Sequence, residues 1–281
     1  MAPAIEDIVG RYVEVRGTRT YYESCGDGPA FICVHSAGTD SRLFRHTLPA
    51  MGRLGFRAIA VDLPGHGKSF PIDWRPVDDL HEFAEWVMEF AGVVGDDRPV
   101  VAGCSIGGNI AIDVAAHHSA DVRACIAFEG AAYTPTFAGA ATFMDPHTMC
   151  WESVSDCMAP TVIRPDATGD QLAEIAWLHK STTQRVFASD LVGWQNQDVR
   201  ARLGEVTAPL LVCLGTGDFF LPEQMVTDTT DVVETAKFVR LENLGHYPMW
   251  EDPATVNDVV TSFLSEHRLL PTGGSKPSDN D

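Results

Sequence analysis

Residues Val100–Gly108 read VVAGCSIGG, a G-x-S-x-G pattern that follows a short apolar run and opens an amphipathic segment. The apolar run is typical of a buried strand, and the next segment carries apolar residues at helical spacing. A serine held at a sharp strand-to-helix turn is crowded by the residues two before and two after it. Glycines at Gly103 and Gly107 leave room for such a strained backbone. The pattern therefore predicts that Ser105 is an exposed nucleophile at the end of a strand.

Short β-rich runs alternate with amphipathic stretches along most of the chain. This alternation predicts an α/β fold with a mostly parallel sheet flanked by helices. An N-terminal hairpin, with strands at Arg11–Gly17 and Thr20–Ser24, is the expected antiparallel exception. The other predicted strands are Ala30–Val34, Phe56–Val61, Val100–Ala102, Val122–Phe128, Leu210–Leu214 and Phe238–Leu241.

The βα alternation is interrupted between Ala131 and Arg202. This stretch is longer than an ordinary crossover and rich in aromatic residues, so it predicts a helical lid inserted into a core made of residues 1–130 and 203–270. An ordinary helical excursion that packs its aromatic residues inward is the alternative. Residues 271–281 are rich in Gly, Ser, Pro and Asp and predict a disordered tail.

The charge balance excludes several classes of partner. The chain has 281 residues with 20 Lys+Arg against 39 Asp+Glu, a formal net charge of −19, which argues against nucleic-acid and anionic membrane surfaces. No apolar run is long enough to span a membrane, and the first residues lack the features of a signal peptide. We therefore expect a cytoplasmic protein. The sequence leaves the oligomeric state open, a homodimer included.

Two sequence patterns resemble a nucleotide site and a metal site, but neither fits its template, so no cofactor is expected. Gly67-Lys68-Ser69 imitates the end of a phosphate-binding loop, but Asp62 stands where that motif needs glycine. The seven cysteines include no C-x-x-C pair, which predicts reduced, buried thiols. Cys150 and Cys157, together with His147 or His179, fit no zinc template, so no metal site is expected.

Polar residues follow two strands predicted in the C-terminal third. Asp218 comes after Leu210–Leu214, and His246 comes after Phe238–Leu241. In parallel sheets the carboxyl ends of the strands gather the functional side chains. The chain order Ser105, Asp218, His246 resembles that of the α/β-hydrolase family over nearly the whole chain apart from its tail.

This resemblance implies a cofactor-independent serine hydrolase with Ser105 as nucleophile, His246 as base and Asp218 as the orienting acid. His35-Ser36-Ala37-Gly38 resembles the family's oxyanion loop, which implies that the backbone N–H groups of Ala37 and Ile106 are the oxyanion donors. Ser36 replaces the usual glycine and would either narrow the pocket or offer its hydroxyl to a substrate.

A second turn, Asp62–Ser69, resembles the family's D-x-x-G-x-G-x-S turn. It carries His66, and the oxyanion loop carries His35. Neither histidine follows the strand after which the base is expected, so both are interpreted as structural.

Glu129 is the alternative to Asp218 as the triad acid. It follows the strand predicted at Val122–Phe128, the position from which haloalkane dehalogenases and zearalenone lactonases supply their acid. The zearalenone lactonases share the Gly-Cys-Ser elbow. Asp218 is favoured because Gly217-Asp218 with Pro222 shortly after is the commoner family pattern.

The aromatic residues of the predicted lid, with Phe219 and Phe220 beside Asp218, favour a small apolar or aromatic substrate such as a carboxylic ester or lactone. Serine at the elbow argues against dehalogenase and epoxide-hydrolase chemistry. The resemblance also admits a C–C bond hydrolase of a vinylogous diketone, although such enzymes usually have Asn where this chain has Cys104. A small-molecule receptor with weak turnover is the alternative from another class.

Overall fold

The computed structural model describes residues 7–134, 145, 147 and 151–271. Its strands are β1 Val9–Val15, β2 Thr18–Cys25, β3 Ala30–Val34, β4 Arg57–Val61, β5 Val100–Cys104, β6 Ala124–Phe128, β7 Leu210–Gly215 and β8 Ala236–Leu241. Its α-helices are α1 Thr47–Arg53, α2 Leu80–Val93, α3 Ile106–His117, α4 Trp151–Val162, α5 Gly169–Ser181, α6 Gln184–Asn196, α7 Glu223–Thr230, α8 Pro248–Glu251 and α9 Pro253–Glu266. None of the described helices combines the length and the apolar character needed to cross a membrane.

The strands form one sheet in the order β1-β2-β4-β3-β5-β6-β7-β8. All neighbours from β4 to β8 pair in parallel, whereas β2 pairs antiparallel with both β1 and β4. The hairpin between β1 and β2 turns at Arg16 and Gly17, whose φ angles are 50° and 71°. Two positive φ angles suit the right-handed twist of a tight hairpin. The predicted α/β class with a mostly parallel sheet is confirmed.

The central strands are apolar along their whole length because helices cover both faces of the sheet. Every residue of β3, β5, β6 and β7 is buried. One face packs against α2 and α3, where Phe83, Trp86 and Phe90 are fully buried. The other face packs against α1 and α9 through Leu48 and Phe263. The sheet is therefore a rigid platform for the loops at its carboxyl edge.

Helices α4, α5 and α6 lie between β6 and β7, and we call them the cap segment. Helix α5 begins at a capping box in which Thr168 and Gln171 satisfy each other's backbone N–H groups. An antiparallel bridge between Tyr133 and Asp198 joins the two ends of the excursion.

The described residues contain only parts of two predicted segments. Residues 135–144, 146 and 148–150 of the predicted lid, which include Phe137, Phe143 and Cys150, lie outside them, as does the predicted tail from 272 onward. The division of the chain into core, lid and disordered tail therefore stays a prediction.

Candidate active site

Ser105 occupies the turn between β5 and α3, with φ 57° and ψ −119°. A Cβ atom on Gly103 would lie 2.0 Å from the carbonyl oxygen of Gly107, and one on Gly107 would lie 2.1 Å from that of Val34. Any side chain at either position would thus force the turn apart. The Ser105 N–H donates to the carbonyl of Phe128 on β6 at 2.9 Å, which fixes the turn to the sheet.

His246 and Asp218 meet beyond the carboxyl ends of β8 and β7. The Nδ1 atom of His246 lies 2.8 Å from Oδ2 of Asp218, and Oδ1 of Asp218 accepts from the N–H of Phe220 at 2.6 Å. Burial works to raise the pKa of Asp218, but the His246 imidazole and these hydrogen bonds outweigh it and hold the pKa below its ordinary value. Asp218 is therefore an ionised carboxylate bonded to the histidine.

The loop that carries His246 is held by Glu251, the last residue of α8. This buried carboxylate accepts from the N–H of Gly245 at 2.8 Å and from that of Tyr247 at 3.0 Å. The N–H of His246 donates to the carbonyl of Val162 in the cap segment at 2.7 Å. Core and cap together orient the imidazole. No sequence motif marks the role of Glu251.

Ser105 and His246 both line a cavity of about 530 Å³ between the sheet edge and the cap segment. Its walls are mostly apolar, and its lining includes Met158, Val162, Phe187, Leu191, Trp194, Phe219, Phe220 and Leu221. The expectation that aromatic residues line the site holds for four of these side chains. Two tryptophans do not line the cavity: Trp177 of the cap segment is 66% exposed, and Trp250 on α8 is buried beneath the guanidinium of Arg45, 4.2 Å from the ring centroid.

Ala37 and Ile106 line the same cavity, on the side of Ser105. Ile106 is the first residue of α3, so its N–H is one of the helix's donors without an intrahelical partner. The carbonyl of Ser36 accepts from both the N–H and the hydroxyl of Thr39, at 3.2 and 2.9 Å, which ties the loop into a tight turn. The structure thus places both predicted oxyanion residues in the wall of the cavity that Ser105 lines.

The hydroxyl groups of Ser36 and Tyr247 form a polar patch in the lining of the cavity. Their oxygens lie 3.5 Å apart, and the Tyr247 hydroxyl also lies 2.9 Å from Nε2 of His179 in the cap segment. Burial, aided by His246, lowers the pKa of His179 to about 4, so this imidazole is neutral at ordinary pH. Ser36, the departure from the family's glycine, thus faces a tyrosine that the sequence analysis did not single out.

His35, the first residue of the oxyanion loop, packs against His66, and neither histidine lines the cavity. Nδ1 of His35 donates to the carbonyl of Ser36 at 2.9 Å, and its Nε2 accepts from the N–H of Leu63 at 3.0 Å. This arrangement requires a neutral ring, and burial together with His66 lowers the pKa of His35 to about 3.

His66 is bonded differently, because both of its ring nitrogens face oxygen acceptors. Nδ1 lies 3.3 Å from the carbonyl of Pro64, and Nε2 lies 2.9 Å from Oδ2 of Asp190 in the cap segment. Burial works to lower the pKa of His66, but Asp190 outweighs it and raises the pKa. The raised pKa and the two oxygen acceptors favour the protonated form of His66.

Glu129 follows β6 with φ 52° and is buried against Asp218. Its Oε1 atom accepts from the N–H of Gly215 at 2.8 Å. One oxygen or nitrogen atom from each of Glu129, Asp218 and His246 lies within 4.8 Å of the other two. The structure thus brings both candidate acids together, and the His246 Nδ1 atom is bonded to Asp218.

Metal-ligating residue types also cluster away from this cavity. His81, Asp113 and His117 each offer an atom within 4.8 Å of the others. Nδ1 of His81 is hydrogen-bonded to Oδ1 of Asp113 at 2.8 Å, and Nδ1 of His117 is hydrogen-bonded to the carbonyl of Asp113 at 3.1 Å, which accounts for the cluster. Of the described cysteines, Cys157 is exposed and the others are buried free thiols.

Comparison with known proteins decides the family. The model of the Alpha/beta hydrolase family matches residues 31–259, most of the chain. The chain belongs to the alpha/beta hydrolase family. Its match spans the elbow, the oxyanion loop and the loops that carry Asp218 and His246.

Relatives within this family differ in their named activities. The chain is 26% identical over 252 residues to a pimeloyl-[acyl-carrier protein] methyl ester esterase of Nitrosomonas europaea, which covers 83% of this chain and 94% of that protein. It is 25% identical over 266 residues to a 2-hydroxy-6-oxononadienedioate/2-hydroxy-6-oxononatrienedioate hydrolase of Dechloromonas aromatica. That match covers 87% of this chain and 90% of the relative. The crystal structure of the enol-lactonase from Burkholderia xenovorans superposes with a TM-score of 0.82 at 21% identity, covering 91% of this chain and all of that one.

Proposed function

We propose that this alpha/beta hydrolase is a cofactor-independent serine hydrolase that cleaves a carboxylic ester or lactone of an apolar or aromatic compound. The proposal depends on the 2.8 Å contact between Nδ1 of His246 and Oδ2 of Asp218. His246 lines the same cavity as Ser105, the serine at the strained elbow. A serine hydroxyl is a poor nucleophile at neutral pH and needs such an oriented base.

In this mechanism Ser105 Oγ attacks the substrate carbonyl while His246 Nε2 takes the hydroxyl proton. Asp218 holds the imidazole by Nδ1 and stabilises its charged form. The tetrahedral intermediate places its oxyanion near the N–H groups of Ala37 and Ile106. Loss of one such donor typically costs about 10²- to 10³-fold in rate.

Collapse of the intermediate breaks the bond to the leaving alkoxide, which takes the proton from His246 and departs as the alcohol. The acyl group is then an ester of Ser105. A water molecule repeats the sequence with His246 as its base, which releases the carboxylic acid and restores the serine. A lactone follows the same steps, with its alcohol and its acid on one product.

The apolar cavity supports a substrate with little charge. A volume of about 530 Å³ is within the usual range for small-molecule sites, and Phe187, Trp194 and Phe220 offer faces to an aromatic or aliphatic acyl group. The named activities of an esterase relative and an enol-lactonase neighbour agree with this class.

A C–C bond hydrolase of a vinylogous diketone is the second candidate. It is favoured by the similarity to the Dechloromonas aromatica hydrolase. Cys104 stands against it, because such enzymes usually carry Asn before the elbow serine. The same cavity and the same Ser105 would serve either substrate class.

The test is multiple-turnover product analysis of wild type and Ser105→Ala on a short aryl ester, a macrocyclic aromatic lactone and a ring-cleavage dienone. Ester or lactone cleavage that is lost in the variant supports the proposal. Cleavage of the dienone alone replaces it with the second candidate. Stoichiometric labelling of Ser105 by a fluorophosphonate without turnover of any of the three contradicts it in favour of a receptor.

A further inference from the structure

Glu129 is a buried carboxyl group beside the triad for which the mechanism above has no use. Its side chain lines the cavity, and one of its carboxyl oxygens lies within 4.8 Å of a carboxyl oxygen of Asp218, the residue that orients His246. Two buried carboxyl groups in contact cannot both be ionised without a cation between them, so the contact requires a shared proton.

The hydrogen-bond donors around the two groups decide which one holds the proton. Asp218 accepts from Nδ1 of His246 and from the N–H of Phe220, one donor on each oxygen. Glu129 accepts one donor, the N–H of Gly215, on Oε1. Its Oε2 atom is buried and meets no donor in the part of the chain that the structure describes. Donors stabilise the ionised form, so Asp218 is the carboxylate and Glu129 is the acid.

The other groups around Glu129 agree with this assignment. Glu251 adds a negative field, and the buried thiols of Cys104 and Cys213 supply no charge. His246 already bonds to Asp218. Burial first, and then Asp218, raise the pKa of Glu129 well above its ordinary value.

We propose that Glu129 is a protonated carboxylic acid that donates a hydrogen bond to the Asp218 carboxylate and keeps its proton throughout turnover. The proposal rests on the function proposed above in taking Asp218 as the triad acid. Glu129 is then a positioning residue, since it acts through Asp218 and exchanges no proton with the substrate.

This role explains why the sequence contains two candidate acids, Glu129 and Asp218, after neighbouring strands. The residue after β6 holds the carboxylate after β7 in the direction of His246, and it lowers the negative charge that the buried site must carry. A glutamine at this position would supply an N–H donor to Asp218 and an oxygen acceptor to Gly215. A leucine of similar size would supply neither.

Difference infrared spectroscopy tests the protonation state without any substrate. At neutral pH the spectrum of wild type minus Glu129→Gln should contain the C=O stretch of a protonated carboxyl group. A carboxylate stretch in its place would overturn the proposal. Thermal unfolding checks that both proteins are folded during the measurement.

Kinetics on a short aryl ester then test the positioning role. Glu129→Gln should retain kcat within about threefold, whereas Glu129→Leu should lose about 10- to 100-fold, the range for one hydrogen bond to a charged group. In Glu129→Leu, kcat should change more than KM, because the lost bond acts on Asp218, which orients His246.

The pH profile separates positioning from support of the loop. Without the donated bond, the Asp218 carboxylate directs more negative charge at His246, which favours the protonated imidazole. The acid limb of kcat/KM should therefore move to higher pH in Glu129→Leu and stay in place in Glu129→Gln. An equal loss of kcat in both variants would contradict the proposal.

Failure of this inference and failure of the proposed function give different results. Full ester hydrolysis by Ser105→Ala would reject serine catalysis but leave the infrared assignment of Glu129 as measured. A carboxylate signal from Glu129 with an inactive Ser105→Ala would reject the protonated acid and leave the serine mechanism in place.

Discussion

The buried contact between His66 and Asp190 fastens the cap segment to the Asp62–Ser69 turn, and Asp190 also reaches the oxyanion loop. Both side chains are fully buried, and Nε2 of His66 lies 2.9 Å from Oδ2 of Asp190. The same carboxylate oxygen accepts from the N–H of Gly38 at 3.1 Å. Gly38 directly follows Ala37, a proposed oxyanion donor, so Asp190 restrains both the turn that carries His66 and the oxyanion loop.

Replacement of Asp190 by Ala should therefore be costly. It leaves His66 and the N–H of Gly38 buried without their acceptor, and removal of one partner of a buried pair costs about 3–5 kcal/mol. For a chain of this size each kcal/mol lowers Tm by about 2 °C or more, so we expect a fall of about 10 °C by scanning calorimetry. Turnover of an aryl ester should fall as well, because the loop loses its restraint.

An exposed pair provides the matched control. Glu205 lies 2.9 Å from Arg202 with its side chain 62% exposed, and Glu205→Ala should change Tm by no more than about 2 °C, since exposed pairs contribute little. A fall for Asp190→Ala no larger than this control would refute the reasoning.

The stability that the pair provides should depend on pH in one direction. Against the lowering effect of burial, Asp190 raises the pKa of His66 above its unfolded value. The contribution is then complete below about pH 6.5, the ordinary histidine value, and is lost as the pH rises through the folded pKa. The Tm difference between wild type and Asp190→Ala should narrow at alkaline pH, and a difference that stays constant above about pH 6.5 would show that His66 is neutral.

Three further predictions concern the site itself. Asp218→Asn should lower kcat on an aryl ester by several orders of magnitude, since the amide cannot hold the imidazole in its working tautomer; stopped-flow or endpoint rates near wild type would remove Asp218 from the triad. Gly107→Ala places a Cβ atom 2.1 Å from a backbone carbonyl and should abolish soluble folded protein or activity. The control Gly92→Ala lies in open space on α2 and should raise Tm slightly. Equal melting of the two variants by circular dichroism would contradict this prediction. Tyr247→Phe leaves His179 without its partner at 2.9 Å and should cost about 1–3 kcal/mol in urea unfolding, and an unchanged midpoint would show that this hydrogen bond contributes nothing.

The features of the fold and site that the sequence predicted are those marked by short stretches of residues. Gly103 and Gly107 mark the elbow because only the absence of a Cβ atom permits that turn. Continuous apolar runs mark the buried parallel strands. The position of Asp218 and His246 just beyond two such strands predicted that they would meet, and their contact at 2.8 Å follows from the parallel pairing of β7 and β8.

The parts that the sequence did not predict depend on contacts between distant segments. Asp190 lies in a cap helix without a motif, and its bond to His66 joins residues 124 positions apart. The contact of Glu129 with Asp218 likewise depends on the register of β6 against β7. Spacing along the chain offered Glu129 and Asp218 as alternatives, whereas three-dimensional packing brings a carboxyl oxygen of each within 4.8 Å of the other.

The most direct test of serine catalysis is mass spectrometry of the protein quenched during turnover of a short aryl ester. We expect wild type to carry the acyl mass on the peptide that contains Ser105, at a level that rises and decays with turnover, and Ser105→Ala to carry none and to be inactive. Full turnover by Ser105→Ala, or an acyl group on a different residue that forms and decays at the rate of turnover, would contradict the mechanism.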